Sequence, residues 1–104
     1  NKVSVYVPST VNVNQRINNK KRVVSIIKQM SLLFGGATSY ECVGGWVADN
    51  GDIVTEQVNI VYSFCDKKSL KDNLSKVINI CQQIKKDMKQ EAVTLEVNGK
   101  ATFI

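Results

Sequence analysis

Histidine is absent from this 104-residue sequence, and its absence excludes whole classes of site. Catalytic arrangements that pair serine or cysteine with histidine cannot be built from this chain. Structural zinc usually takes four cysteine or histidine ligands, and the three cysteines, Cys42, Cys65 and Cys81, form no Cys-x-x-Cys motif. We therefore expect no metal site, and we interpret the cysteines as small apolar side chains of a cytoplasmic protein.

Long apolar runs and nucleotide-binding glycine motifs are also missing. No segment approaches the roughly 18 consecutive apolar residues of a membrane-spanning helix, so we expect no membrane association. Neither Gly-x-Gly-x-x-Gly nor the P-loop pattern occurs. These absences leave no recognisable cofactor site and no catalytic residues, and they favour a protein that is not an enzyme.

Enough apolar residues are present to form a core. Hydrophobic residues make up 43% of the chain. A chain of this length can fold without disulfides or metals, so we predict a single domain over residues 1–104.

Hydrophobic periodicity predicts two helices among several strands. Val3, Val5 and Val7 alternate with polar residues and end at Pro8, as in a strand. Apolar residues at helical spacing follow at 15–34, before Gly35-Gly36. A clearer helical stripe follows a cap at Asp66 or Ser69, and it comprises Leu70, Leu74, Val77, Ile78, Cys81, Ile84 and Met88. Further strands are predicted at 38–48, 53–65, 93–97 and 100–104.

The order strand, helix, strand, strand, helix, strand is that of the split βαβ or ferredoxin-like fold. Right-handed crossovers place both helices on the same face of an antiparallel sheet. We therefore predict an α+β fold of ferredoxin-like type, β-α-β-β-α-β, with a C-terminal hairpin that turns at Asn98-Gly99.

The central hairpin turns at Asn50-Gly51, the strongest short-range hairpin signal. A two-residue turn there would pair Trp46 with Thr55 and divide the strand residues between two faces. The face toward the helices would carry Val43, Val47, Val54, Val58, Ile60, Tyr62 and Phe64. The other face would be mixed aromatic and polar, and we predict that it mediates self-association through Tyr40, Trp46, Thr55, Gln57 and Asn59. A slip of one residue would reverse the faces.

Basic residues account for a net charge of +5 and fall mainly on the predicted helices. A candidate basic surface comprises Lys20, Lys21, Arg22, Lys85, Lys86 and Lys89. It suits a phosphate backbone, and the simpler interpretation is a solvated helix exterior.

Carboxylates surround the central hairpin, at Glu41, Asp49, Asp52 and Glu56. A pair of carboxylates can perform acid–base catalysis. The pattern Asp-Asn-Gly-Asp is also favourable turn chemistry, and this explanation is the simpler one.

Short motifs around the central hairpin carry a resemblance. The segments Leu33-Phe34-Gly35-Gly36-Ala37-Thr38 and Gly44-Gly45-Trp46, with Gly51 and Glu56, resemble small uncharacterised bacterial and phage proteins. That family has a Phe-x-Gly-x-Thr turn and a Trp-x4-Gly-x4-Glu hairpin. The resemblance implies the same order of elements and an accessory protein of phages or other mobile elements, without a defined activity.

Three functional hypotheses follow. The leading one is a non-enzymatic accessory protein that acts through protein–protein contacts, self-associates, and modulates a host system. The second is a nucleic-acid-binding accessory protein that uses the basic helix surface. The third is a small-molecule-binding or enzymatic dimer with a cleft at the sheet.

Overall fold

The structure is a computed structural model that describes residues 1–11 and 15–104. Two helices and seven strands follow one another along the described chain. They are β1 (Lys2–Pro8), β2 (Thr10–Val11), β3 (Gln15–Arg16), α1 (Lys20–Phe34), β4 (Thr38–Val47), β5 (Ile53–Phe64), α2 (Lys67–Asp87), β6 (Thr94–Val97) and β7 (Lys100–Phe103).

Five of these strands form an antiparallel sheet in the order β4-β5-β1-β6-β7. Without β7, this is the strand order of a ferredoxin-like sheet, and β7 extends it as the C-terminal hairpin. Both helices pack on one face of the sheet. The predicted α+β ferredoxin-like fold is confirmed. Among the described residues, no helix combines the length and the apolar character needed to cross a bilayer.

The core lies between the helices and the middle of the sheet. Val3, Val5 and Val7 point toward the helices and are fully buried, as the alternation of β1 predicts. The helices bury their apolar stripes against them, at Val23, Ile26 and Met30 of α1 and at Val77, Ile80, Cys81 and Ile84 of α2. The opposite sheet face carries no helix, and we call it the open face.

The two helices begin differently. Asp66 caps α2 by accepting a hydrogen bond from the backbone N–H of Ser69 at 2.7 Å, and this bond lowers the pKa of the Asp66 carboxyl. Helix α1 begins at Lys20, not at residue 15 as predicted, because Gln15 and Arg16 pair with β2 instead. Its N-cap residue, Asn19, makes no capping hydrogen bond with its side chain.

The two hairpins turn in different ways. Asn98 and Gly99 both have positive φ, so they form the two-residue turn that the sequence predicts. At the central hairpin only Gly51 has a positive φ, of 89°, and the Ala48 N–H donates to the Asp52 carbonyl at 2.8 Å. The loop therefore has three residues, which suits a type I turn followed by a left-handed glycine.

This extra loop residue changes the strand register. Trp46 pairs with Val54, not with Thr55 as predicted. The face assignments for β4 hold, whereas every residue of β5 lies on the face opposite to its predicted one. The open face therefore carries Val54, Val58, Ile60, Tyr62 and Phe64. The helix side carries Thr55, Gln57, Asn59 and Val61.

Candidate functional site

A cleft of about 490 Å³ lies where the start of α1 meets strands β4 and β5. We call it the α1–β4 cleft. Its residues are Asn18, Asn19, Lys20, Val23, Val24 and Ile27 on the α1 side, and Ser39, Tyr40, Glu41 and Asn59 on the strand side. Its volume falls in the range of pockets that hold small-molecule ligands, roughly 300–1,000 Å³.

The strand wall of the cleft results from the observed register. Glu41 of β4 is paired with Asn59 of β5, so both side chains lie on the helix side of the sheet. Ser39 lies on the same face, two residues before Glu41. Under the predicted register Asn59 would have faced away from α1, so sequence reasoning did not place it beside Glu41.

The helix wall is fixed by its own hydrogen bonds. The Asn18 carboxamide oxygen accepts from the Lys20 N–H at 3.0 Å, and the Asn19 side chain donates to the Pro8 carbonyl at 3.0 Å. These bonds hold the entry to α1 against the end of β1. Val24, exposed by 44%, and the half-buried Ile27 give this wall an apolar surface.

A polar network anchors the chain before α1 to the rest of the fold. The Thr10 hydroxyl donates to the Glu56 carboxylate at 3.0 Å, and the Ser9 hydroxyl donates to the Gln57 carbonyl at 2.6 Å. From the other side, the Gln90 side chain donates to the Thr10 carbonyl at 2.8 Å. Glu56 thus has a structural partner, which distinguishes it from Glu41.

Glu41 and Lys20 are the charged residues among those that line the cleft. Among the side chains that the structure describes, those of residues 1–11 and 17–104, neither makes a salt bridge; the two salt bridges found there are Arg22–Asp87 and Lys68–Asp72. A carboxylate and an ammonium in one cleft suit a ligand that carries charges of both signs.

The open face carries an aromatic cluster. Tyr62 makes edge-to-face contacts with Tyr40 and Phe64, with ring centroids 5.9 and 5.6 Å apart, and the Lys2 ammonium lies 4.4 Å from the Tyr62 ring centre. Burial and the nearby Glu96 carboxylate raise the pKa of Tyr6 beside this cluster.

The structure divides the residues predicted to form one interface. Tyr40 and Trp46 lie on the open face, whereas Thr55, Gln57 and Asn59 lie on the helix side. The prediction that all five share a face is wrong because the three-residue loop shifts β5 by one position. Their role in self-association stays a prediction.

The end of the central hairpin extends past the helices. We call residues 43–54 the hairpin arm. On its helix side Val43, Val47 and Ile53 are 72%, 65% and 66% exposed, whereas Val61 on the same face of the sheet is fully buried. Trp46, on the other side of the arm, is 45% exposed. The arm therefore presents apolar side chains on both of its faces.

The candidate basic residues gather at one end of the helix layer. Arg22 of α1 and Asp87 of α2 form a salt bridge of 3.0 Å, so the start of α1 lies beside the end of α2. This arrangement brings Lys20, Lys21 and Arg22 to the same end as Lys85, Lys86 and Lys89. Lys20 lies in the α1–β4 cleft, while Lys21 and Arg22 line a groove of about 280 Å³ between the helices.

No candidate metal site occurs in the described part of the chain, where no three histidine, cysteine or acidic side chains come together suitably. Cys81 is buried, and burial raises the pKa of its thiol to about 12. Its thiol is therefore a core group and a poor nucleophile.

Comparison with known proteins gives matches at the level of structure. A phage SAM lyase in complex with S-methyl-5′-thioadenosine matches with a TM-score of 0.67 and 17% identity, over 99% of this chain and 87% of that chain. A phage SAM lyase in its apo state matches with a TM-score of 0.64 and 20% identity, over 97% and 82%. No family model and no curated protein matches. At these identities the likeness shows the fold.

These matches correct the leading functional hypothesis. A non-enzymatic accessory protein acting through protein–protein contacts was expected, and both matched structures are of an enzyme that acts on a small molecule. The hypothesis of a small-molecule-binding or enzymatic protein agrees better with them. The resemblance to phage proteins agrees in its coarser part, since both matched structures are of phage proteins.

Proposed function

We propose that this protein binds S-adenosylmethionine in the α1–β4 cleft and cleaves it as a lyase. The observation that carries the proposal is a cleft of about 490 Å³ with polar, apolar and charged walls, in a fold that matches phage SAM lyase over nearly the whole chain. The cleft supplies a site in this chain, and the fold likeness indicates the class of ligand.

The chemistry of the cleft suits the parts of this ligand. S-adenosylmethionine carries an adenine ring, ribose hydroxyls, a sulfonium, an ammonium and a carboxylate. Val24 and Ile27 offer an apolar surface for a flat base, and Asn59 and Ser39 offer hydrogen bonds to hydroxyls. Lys20 and Glu41 supply one charge of each sign for the charged end.

The reaction needs little acid–base chemistry. S-methyl-5′-thioadenosine is what remains when the bond from the sulfonium to the amino-acid chain breaks and sulfur keeps the electron pair. The carbon left behind then forms a new bond within the substrate. Either its own carboxylate oxygen closes a ring, which needs no proton transfer, or a double bond forms while water takes up a proton from the neighbouring carbon. Positioning and desolvation are then the main contributions a protein makes.

The direct test follows conversion of S-adenosylmethionine to S-methyl-5′-thioadenosine by liquid chromatography. Val24→Trp fills the cleft with a ring at a position that already faces solvent, so it should abolish conversion while the protein stays folded. Leu32→Trp is the matched control on the same helix, because Leu32 is 89% exposed and lies outside the cleft. Absence of conversion by the wild type, or equal rates in both variants, would contradict the proposal.

Self-association is a further part of this proposal. A two-stranded ribbon with apolar residues on both faces is marginally stable in water by itself, so the hairpin arm gains stability if a second copy covers it. Trp46→Ala should then shift the protein toward monomer in light scattering. Thr102→Ala on β7, the opposite edge strand, is the control. An unchanged mass for Trp46→Ala would refute a role for this side chain in assembly.

Cytoplasmic location and origin in a phage or mobile element also remain proposals. The free thiols of Cys42, Cys65 and Cys81 support a reducing compartment. The matched phage structures support the origin.

A further inference from the structure

The α1–β4 cleft holds one carboxylate and one ammonium, whereas the protein as a whole is positively charged. The chain carries a net charge of +5, which disfavours approach of a cation. The cleft nevertheless places a solvent-exposed carboxylate, Glu41, on the strand wall, where a ligand can reach it. Lys20 lies across from the strands on the α1 side.

Three other carboxylates of the fold have evident structural roles. Glu56 accepts a hydrogen bond from Thr10, Asp66 caps α2, and Asp87 pairs with Arg22. Glu41 has no such role in the described part of the chain. It also lies at the one place in β4 where its neighbour across the strands, Asn59, lines the same cleft.

We propose that Glu41 is a specificity-determining residue that makes the cleft prefer a sulfonium ligand over the corresponding neutral thioether, which lacks the sulfonium methyl group. This inference rests on the proposed function and deepens it. The Glu41 carboxylate attracts the positive sulfur centre, and Lys20 pairs with the carboxylate of the amino-acid end. S-methyl-5′-thioadenosine carries neither charge, so the same two residues give the product no added affinity and allow its release.

The preference should be modest because Glu41 is exposed to solvent. Ion pairs at such sites contribute a factor of up to roughly fivefold in binding, since water and salt screen them. We therefore expect a cationic ligand to bind about fivefold more tightly than its neutral counterpart at low salt. The ratio should fall toward one as salt is added.

The test compares two uncleaved probes by titration calorimetry. One is S-adenosylhomocysteine, the neutral thioether. The other is the nitrogen analogue of S-adenosylmethionine, at a pH where its tertiary amine is protonated and replaces the sulfonium. Both probes have the same adenosine, ammonium and carboxylate groups and differ in one methyl group and in the charge at the sulfur position. The salt-dependent part of their affinity ratio, and the part lost in a Glu41 variant, report the charge.

Two variants assign the preference to a residue. Glu41→Gln should bring the affinity ratio close to one and leave the affinity for S-adenosylhomocysteine within about twofold. Glu91→Gln, which removes the same charge from an exposed loop outside the cleft, should keep the ratio of the wild type.

The outcomes separate this inference from the proposed function. If both probes bind the wild type equally, or Glu41→Gln keeps the ratio, the role of Glu41 is refuted while binding of adenosyl compounds stands. If Glu41→Gln weakens both probes to the same extent, the carboxylate pairs with the shared ammonium, and the inference is again refuted. If neither probe binds, the proposed function fails with it.

Discussion

Ile26 and Leu32 lie on the same helix, α1, and have side chains of equal size in opposite environments. Ile26 is 2% exposed in the core, and Leu32 is 89% exposed. Truncation of either residue to alanine removes three carbons, worth roughly 2.4 kcal/mol if all were buried, at about 0.8 kcal/mol per methylene. At Ile26 the cavity left behind adds about 1 kcal/mol, since the surroundings relax only in part.

Ile26→Ala should therefore lower the free energy of unfolding by about 3.5 kcal/mol, and Leu32→Ala should change it by less than about 0.5 kcal/mol. For a chain of this size the first change corresponds to a drop in Tm of roughly 15–25 °C. Urea unfolding followed by circular dichroism measures both values. A loss below about 1 kcal/mol for Ile26→Ala, or similar losses for the two variants, would refute the assignment of the α1 core face.

Three further predictions concern pH, the buried thiol and the central turn. Folding lowers the pKa values of two carboxyls, that of Asp66 through a hydrogen bond from Ser69 and that of Asp87 through one from Arg22. Their contribution to the free energy of unfolding is therefore present above the unfolded pKa near 4, and it is lost as the pH falls through the folded pKa values. The urea midpoint should fall on acidification and fall less in the double variant Asp66→Asn/Asp87→Asn; an identical acid dependence would contradict this. Cys81 should react with iodoacetamide far more slowly than Cys65 in the folded protein and at a similar rate in urea, as read by peptide mass spectrometry; rapid labelling of folded Cys81 would contradict its burial. Gly51→Ala should destabilise by about 1 kcal/mol because φ there is 89°, whereas Gly36→Ala, with open space and no positive φ, should be nearly neutral; equal unfolding midpoints would contradict the left-handed turn.

The element order was predictable because each element carries its own local signal. Val3, Val5 and Val7 alternate as a half-buried strand does, and the α2 stripe from Leu70 to Met88 repeats at helical spacing. The residues of these two patterns are buried or half-buried, but the periodicity did not identify Ile80, which α2 also buries. With the strand order known, the handedness rule for crossovers leaves few topologies open, and the ferredoxin-like arrangement is among them.

The register between β4 and β5 was less predictable than the order of the elements, because it depends on the number of residues in one loop. Asn50-Gly51 and Asn98-Gly99 are identical pairs, yet the second forms a two-residue turn and the first belongs to a three-residue loop. In β5 the residues on both faces include β-branched and polar types, so hydrophobicity does not identify the inward face. The error moved Asn59 away from the cleft in which the structure places it.

The cleft joins residues that no sequence motif connects. Asn18 and Lys20 precede Glu41 by about twenty residues, and Asn59 follows it by about as many. Their proximity arises from the packing of α1 on the sheet and from the pairing of β4 with β5. Glu41 was noted in the sequence as one of several hairpin carboxylates, and only the contacts of Glu56 and the position of Asn59 distinguish it.

The absence of histidine was one reason to expect a protein that is not an enzyme. That argument applies only to reactions that need a strong base or an activated nucleophile. A sulfonium already carries an excellent leaving group, since the sulfur becomes a neutral thioether when its bond to carbon breaks. In the proposed reaction the substrate would therefore bring most of its own reactivity, and the protein would contribute orientation, an apolar surface and two matched charges. Val24, Lys20 and Glu41 are ordinary residues for such a site, so a sequence scan for catalytic motifs has no reason to select them. For this reaction class, the composition of a cleft is a better guide than the presence of any one catalytic residue.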